Sequence, residues 1–193
     1  MTGKLVTTVR GPDGAHNTIW SADGNRVYME GIASKDVFIA DPTTHKVVQR
    51  VGPFTDMVRP FTVNGAGTLV FTTLDNLLGF EIGDIRTGKM THRVEVTGFD
   101  AGPKGRGRNP SHGIALSPDE KDIWVADDVN GYVHLFDGSV TPPQQKPSIK
   151  LRRRTHGWIT VGLDGTYVYP SPKNFYLQCW GCFLSELSAL PTT

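Results

Sequence analysis

One pattern constrains this chain more than any other: a unit that returns four times. Three segments superpose residue by residue, namely His16 to Tyr28, Arg59 to Phe71 and His112 to Trp124. Each runs a short apolar strand, a polar turn such as Ser21-Ala22-Asp23-Gly24, then a second strand ending in an aromatic residue. The distance from leading His or Arg to closing aromatic is 12 positions in all three, and 13 in a fourth copy, His156 to Tyr169. The second half of the unit repeats as well. Tyr28 to Asp41, Phe71 to Asp84 and Trp124 to Asp137 each span 13 positions. An aspartate suits the end of such a strand, because its carboxylate accepts backbone N–H groups as the chain reverses.

The closing aromatics stand 43, 53 and 45 residues apart. Four short strands per unit at that period is the signature of β-propeller blades. The long 53-residue interval is accounted for by one Gly-, Pro- and Arg-rich stretch, Gly98 to Pro110. The 22 glycines and 13 prolines favour many short elements over long helices. The predicted fold class is therefore all-β, an incomplete β-propeller of about four blades, each a four-stranded antiparallel sheet. Blades begin near residues 16, 59, 112 and 156 within a propeller region 1–172, and residues 173–193 form a tail without the repeat.

The residues also resemble a known family. Val27-Tyr28-Met29-Glu30, then Asp36-Val37-Phe38-Ile39-Ala40-Asp41-Pro42-Thr43-Thr44-His45-Lys46-Val47-Val48, is similar to a YVTN-type β-propeller repeat, as is His112 to Asp127. The resemblance implies a seven-bladed relative of the YVTN, NHL and lactonase-like kind, which needs on the order of 300 residues. With 193 residues the chain is expected to be a propeller piece, truncated at both ends. Thr2-Gly3-Lys4-Leu5-Val6 matches Thr87-Gly88-Lys89-Met90, so the chain is expected to start mid-blade. Exposed blade edges make self-association an expectation too.

Charge limits the partners. Twenty basic against 19 acidic side chains give no global attraction to nucleic acid, even with the run Lys150-Leu151-Arg152-Arg153-Arg154. No apolar run reaches the ~20 residues of a membrane span, and no secretory leader is visible. The chain carries no cellular address of its own; the family resemblance points to the periplasm or the cell exterior.

The leading residues His16, Arg59, His112 and His156 would lie on an arc around one channel mouth, because equivalent blade positions share an axis. Imidazoles and a guanidinium gathered there suit an anionic ligand; alternatively the histidines hold a metal, or each side chain caps its strand. Lys104, Arg106 and Arg108 on the long loop are candidate contacts to the same ligand, with a plain surface insertion as the alternative. Glu30, Asp75, Asp127 and Asp128 are expected at solvent-exposed hairpin turns. Cys179-Trp180-Gly181-Cys182 has redox-motif spacing but no βαβ context and no second Cys pair. No cofactor, catalytic residue or metal site is predicted. The expected function is a non-enzymatic binding or scaffold module with a ligand surface at the channel mouth. The alternative is part of a propeller enzyme, either a lactonase-like hydrolase or a quinoprotein dehydrogenase-like subunit.

Overall fold

The computed structural model describes residues 3–152, 155–172 and 190–191, with backbone alone at 155, 156, 172, 190 and 191. The described residues form strands and turns. The first sheet has the order β1 (Ala15–Trp20), β2 (Val27–Gly31), β3 (Val37–Asp41), β4 (Lys46–Val51). The second repeats it with β5 (Val58–Val63), β6 (Leu69–Leu74), β7 (Gly79–Asp84) and β8 (Lys89–Glu95). The third contains β9 (Ser111–Leu116), β10 (Asp122–Asp127) and β11 (Tyr132–Asp137). Its outer position is shared by two short strands, β12 (Gln144–Gln145) and β13 (Ile149–Lys150), both paired with β11. The fourth has β14 (Thr155–Val161), β15 (Tyr167–Pro172) and β16 (Leu190–Pro191). Every pairing is antiparallel, and all but that of β11 with β13 join neighbours in sequence. This is an incomplete β-propeller, as the repeat spacing predicts. The strand Leu190–Pro191 adds to the fourth blade from within the segment expected to lack the repeat. No helix among the described residues is long and apolar enough to cross a membrane.

The repeated turn holds itself together. Ser21 Oγ donates to Asp23 Oδ1 at 2.6 Å, and the same oxygen accepts the Asn25 amide at 3.0 Å. The Ser21 hydroxyl in turn accepts the Arg26 amide at 2.9 Å. These bonds, the Ser21 hydroxyl first, hold the exposed Asp23 carboxyl down at about 2. The third blade repeats the device with Ser117, Asp119 and Asp122.

Blades are cemented by their facing sides. Tyr28, Val37, Ile39 and Val51 of the first sheet interlock with Val58, Phe61, Val70 and Leu74 of the second. Phe71, Phe80 and Ile82 meet Ile114, Ile123 and Phe136 at the next junction. Trp124, Val133 and Leu135 meet Ile159 and Val168 at the third. Apolar burial of this kind contributes roughly 25 cal/mol per Å², so three such seams dominate the folding energy. The recurring aromatic therefore has one job in the first three blades: Tyr28, Phe71 and Trp124 each fill the seam toward the following blade.

Candidate functional site

The innermost strands β1, β5, β9 and β14 begin at one end of the molecule, and the site is assembled there. His16 leaves β1 with its Nδ1 2.6 Å from Glu30 Oε1 on the paired strand β2. Glu30 is fully buried, and its second oxygen, Oε2, has no hydrogen-bond partner among the described residues. Burial pushes the Glu30 carboxyl up, against the opposing pull of the His16 bond and the nearby His16 and Arg59 charges.

The His16 ring meets His112 of β9 edge-on, centroids 5.7 Å apart. Both rings touch Trp158 of β14: His16 stacks on the indole at 5.8 Å, and His112 meets it edge-on at 5.3 Å. Side chains from the first, third and fourth blades thus converge. The approach is close because backbone meets backbone. A Cβ on Gly113 would collide with the carbonyl oxygen of Gly157, and one on Gly157 with the His112 side chain. Glycine at 113 and at 157 is needed for β9 and β14 to lie this near.

Arg59 stands in the second blade at the equivalent place and is buried. Its Nε donates to Asp75 Oδ1 and its Nη2 to Asp75 Oδ2, both at 2.7 Å, a two-pronged ion pair. Nη1 donates to the Ile32 carbonyl at 3.1 Å, tying the second blade to the first. Asp75 also accepts the Gly107 amide at 3.0 Å. Neighbouring Asn76 accepts the Gly105 amide at 2.7 Å and donates its own amide to the Arg108 carbonyl at 2.6 Å. The long loop is therefore fastened by its backbone beside Arg59. The side chains of Lys104, Arg106 and Arg108 remain exposed at this same end. His156 belongs to β14; its side chain lies outside the described residues, as do Arg153, Arg154, Cys179 and Cys182.

Three acids expected at exposed turns are instead buried: Glu30, Asp75 and Asp127. Each has a partner inside the fold, although at Glu30 the cost of leaving water exceeds the pull of His16. Asp127 accepts the Val129 and Asn130 amides at 2.8 Å and sits 2.9 Å from His134 Nε2. His134 Nδ1 lies 2.8 Å from Ser148 Oγ. This Ser–His–Asp sequence of bonds has the order of a nucleophile relay, yet His134 and Asp127 are both completely buried. It locks the third blade's outer strand to its centre. Among the described residues, no three His, Cys, Asp or Glu side chains gather as a metal set.

No protein-family model and no curated protein matches the sequence. A solved structure does: Kuenenia stuttgartiensis hydrazine synthase, at 18% identity and a TM-score of 0.71. The likeness is one of fold. It covers 92% of this chain and 46% of the other, so the chain spans about half the length of the solved chain it matches. Propellers carry many activities on one architecture, and function has to be argued from the site.

Proposed function

We propose that this chain is a non-enzymatic binding module of the YVTN-like propeller type, holding a small anion at the channel mouth. The observation that supports the reading is the ring contact of His16 with His112, together with a loop that is fastened at Asp75 and Asn76 and presents Lys104, Arg106 and Arg108 to solvent. Arg59 does not face the ligand in this reading. Asp75 occupies its guanidinium, so Arg59 is a positioning residue that fixes the loop. A loop backbone already held in place removes the cost of ordering the loop on binding, and three cations on it favour a polycarboxylate or phosphate ligand.

Citrate and inorganic phosphate are suitable probes, measured by calorimetry. Citrate is expected to bind the native chain. Replacing Lys104, Arg106 and Arg108 together by alanine should weaken binding at least tenfold and leave the melting temperature unchanged. Equal affinity in that variant, or no citrate or phosphate binding to the native chain, overturns the anion reading.

A further inference from the structure

The third blade departs from the repeat at one place, and the departure sets a hydroxyl on a base. Phe38, Glu81 and His134 hold the same position on the third strand of the first three blades. In the first two blades the outer strand sets an arginine opposite: Arg50 pairs with Phe38, and Arg93 with Glu81. Arg50 lies over the Phe38 ring, and Arg93 donates to the Glu81 carboxylate at 3.0 Å. In the third blade the outer strand breaks between β12 and β13. Pro147 stands in the break, with no N–H to give the ladder. Pairing resumes with Val133 opposite Ile149, which brings Ser148 to His134. A short hydroxyl replaces a long cation there, and Ser148 is partly exposed.

The bonds behind Ser148 fix where the protons sit. Asp127 Oδ1 accepts the Val129 and Asn130 amides, both at 2.8 Å, and Oδ2 accepts the Asn130 side-chain amide at 2.7 Å. A carboxylate can only accept, so the His134 Nε2–H is the donor in the 2.9 Å contact with Oδ2. A neutral imidazole held in this way carries its lone pair on Nδ1, and Nδ1 lies 2.8 Å from Ser148 Oγ. Two rings keep the imidazole in place. Phe99 meets it edge-on, 4.6 Å between centroids, and Tyr132 lies parallel to it within 7° at 6.2 Å. Lys150, two residues after Ser148, sets its ammonium 4.3 Å from the centre of the Tyr132 ring. Phe136, on the same side of β11 as His134, packs against Phe80, so the site lies at the rim of the seam between the second and third blades. His134 and Asp127 are completely buried. A base and its orienting acid can be; only the hydroxyl has to meet a reactant.

We propose that Ser148 is a nucleophile, a covalent acceptor for the acyl group of a small activated ester. Ser148 Oγ bonds to the ester's carbonyl carbon as its proton passes to His134 Nδ1. The bond from that carbon to the leaving oxygen then breaks, and the leaving oxygen takes the proton from Nδ1, giving an acyl-serine and an alcohol. Asp127 is a positioning residue that keeps the imidazole proton on Nε2. The ammonium of Lys150, on the same side of the strand as Ser148, favours the oxygen anion that forms on the way. Lys104, Arg106 and Arg108 take no part in this step, and it can fail without the anion reading failing.

A fluorophosphonate probe tests the step, since Oγ bonds to its phosphorus as fluoride leaves and the proton goes to His134. The full chain is labelled folded and in concentrated urea, then digested for mass spectrometry. The folded chain should carry one adduct, on Ser148, forming about a hundredfold or more faster than in urea. Ser148→Ala should carry none. No adduct on Ser148, or one that forms as fast in urea, overturns the proposal. The tautomer gives a second reading that does not depend on the probe. Nitrogen NMR of the histidine rings should show His134 protonated on Nε2 and bare on Nδ1 in the native chain. Asp127→Asn should exchange the two, because the new amide donates where the carboxylate accepted. A native ring protonated on Nδ1 overturns the proposal, as does a tautomer that Asp127→Asn leaves unchanged.

Discussion

Arg59 and Asp75 face each other with both guanidinium prongs engaged at 2.7 Å, and the pair is buried beneath the loop that carries three exposed cations. A buried pair of this geometry resists the loss of either partner, because the survivor is left charged and dry. Asp75→Ala is therefore expected to cost about 3–5 kcal/mol in urea unfolding. It should also release the loop, since Gly107 loses its acceptor. Trypsin would then cut after Lys104 or Arg106 well before the rest of the chain unfolds. Loss of stability without faster loop cleavage would mean that the ion pair serves the core alone.

The contact between Gly113 and Gly157 makes a second prediction. No side chain fits between these strands, because a Cβ on Gly113 falls on the Gly157 carbonyl. Gly113→Ala should push the fourth blade off the third at a cost of about 1–3 kcal/mol or more. Trp158 reports it, since its indole lies against His16 and His112. A shift of Trp fluorescence toward the fully exposed value should accompany the destabilisation.

Much of this architecture is legible in the sequence, because a blade is a local object. Its strands lie within about 45 residues, its turns carry Ser-x-Asp or Asn-x-x-Gly, and its aromatic returns at fixed spacing. The meeting of His16 and His112 follows from the same register. What escapes is decided by partners. Glu30 stands where the other blades have Thr73 and Ala126, both buried. That alignment signals an interior acid, but only if burial is read across the copies. Trp158 escapes for a different reason. The fourth copy's extra residue falls in the irregular stretch between Thr155 and Ile159, and it turns the indole toward the channel. Spacing alone does not show which way a bulged residue faces.

Glu30 should give the protein an unusual pH response. Its carboxyl is raised by burial, so the folded state holds the proton more tightly than the unfolded chain. The stability this gives is complete below the unfolded value of 4.5 and is lost as pH rises through the raised folded value. The turn acid Asp23 works in the opposite sense. Its carboxyl is lowered from 3.8 to about 2, so its contribution is present above 3.8 and fades as pH falls toward 2. Glu30→Gln keeps an acceptor for His16 and removes the charge. The variant should melt higher than the native chain at pH 8, with the gap closing toward pH 4. A gap that is constant across this range would assign the effect to packing instead.

His45 offers the simplest test of backbone economy. It closes the turn after β3 with φ of 56°, the left-handed region, and its side chain is exposed. Gly88 closes the corresponding turn of the second blade at φ of 69°. A side chain in this conformation costs roughly 1–2 kcal/mol through the clash of Cβ with the carbonyl, offset in part by the greater freedom that glycine has when unfolded. His45→Gly is therefore expected to stabilise the chain by about 0.5–1 kcal/mol. Gly88→Ala should destabilise it by somewhat more than that gain, because a Cβ there would also stand 3.0 Å from the Arg50 carbonyl oxygen. For a chain of this size the two changes should move the melting temperature in opposite directions by roughly 2–4 °C per kcal/mol. If His45→Gly lowers the melting temperature, the imidazole contributes a contact that outweighs its backbone strain.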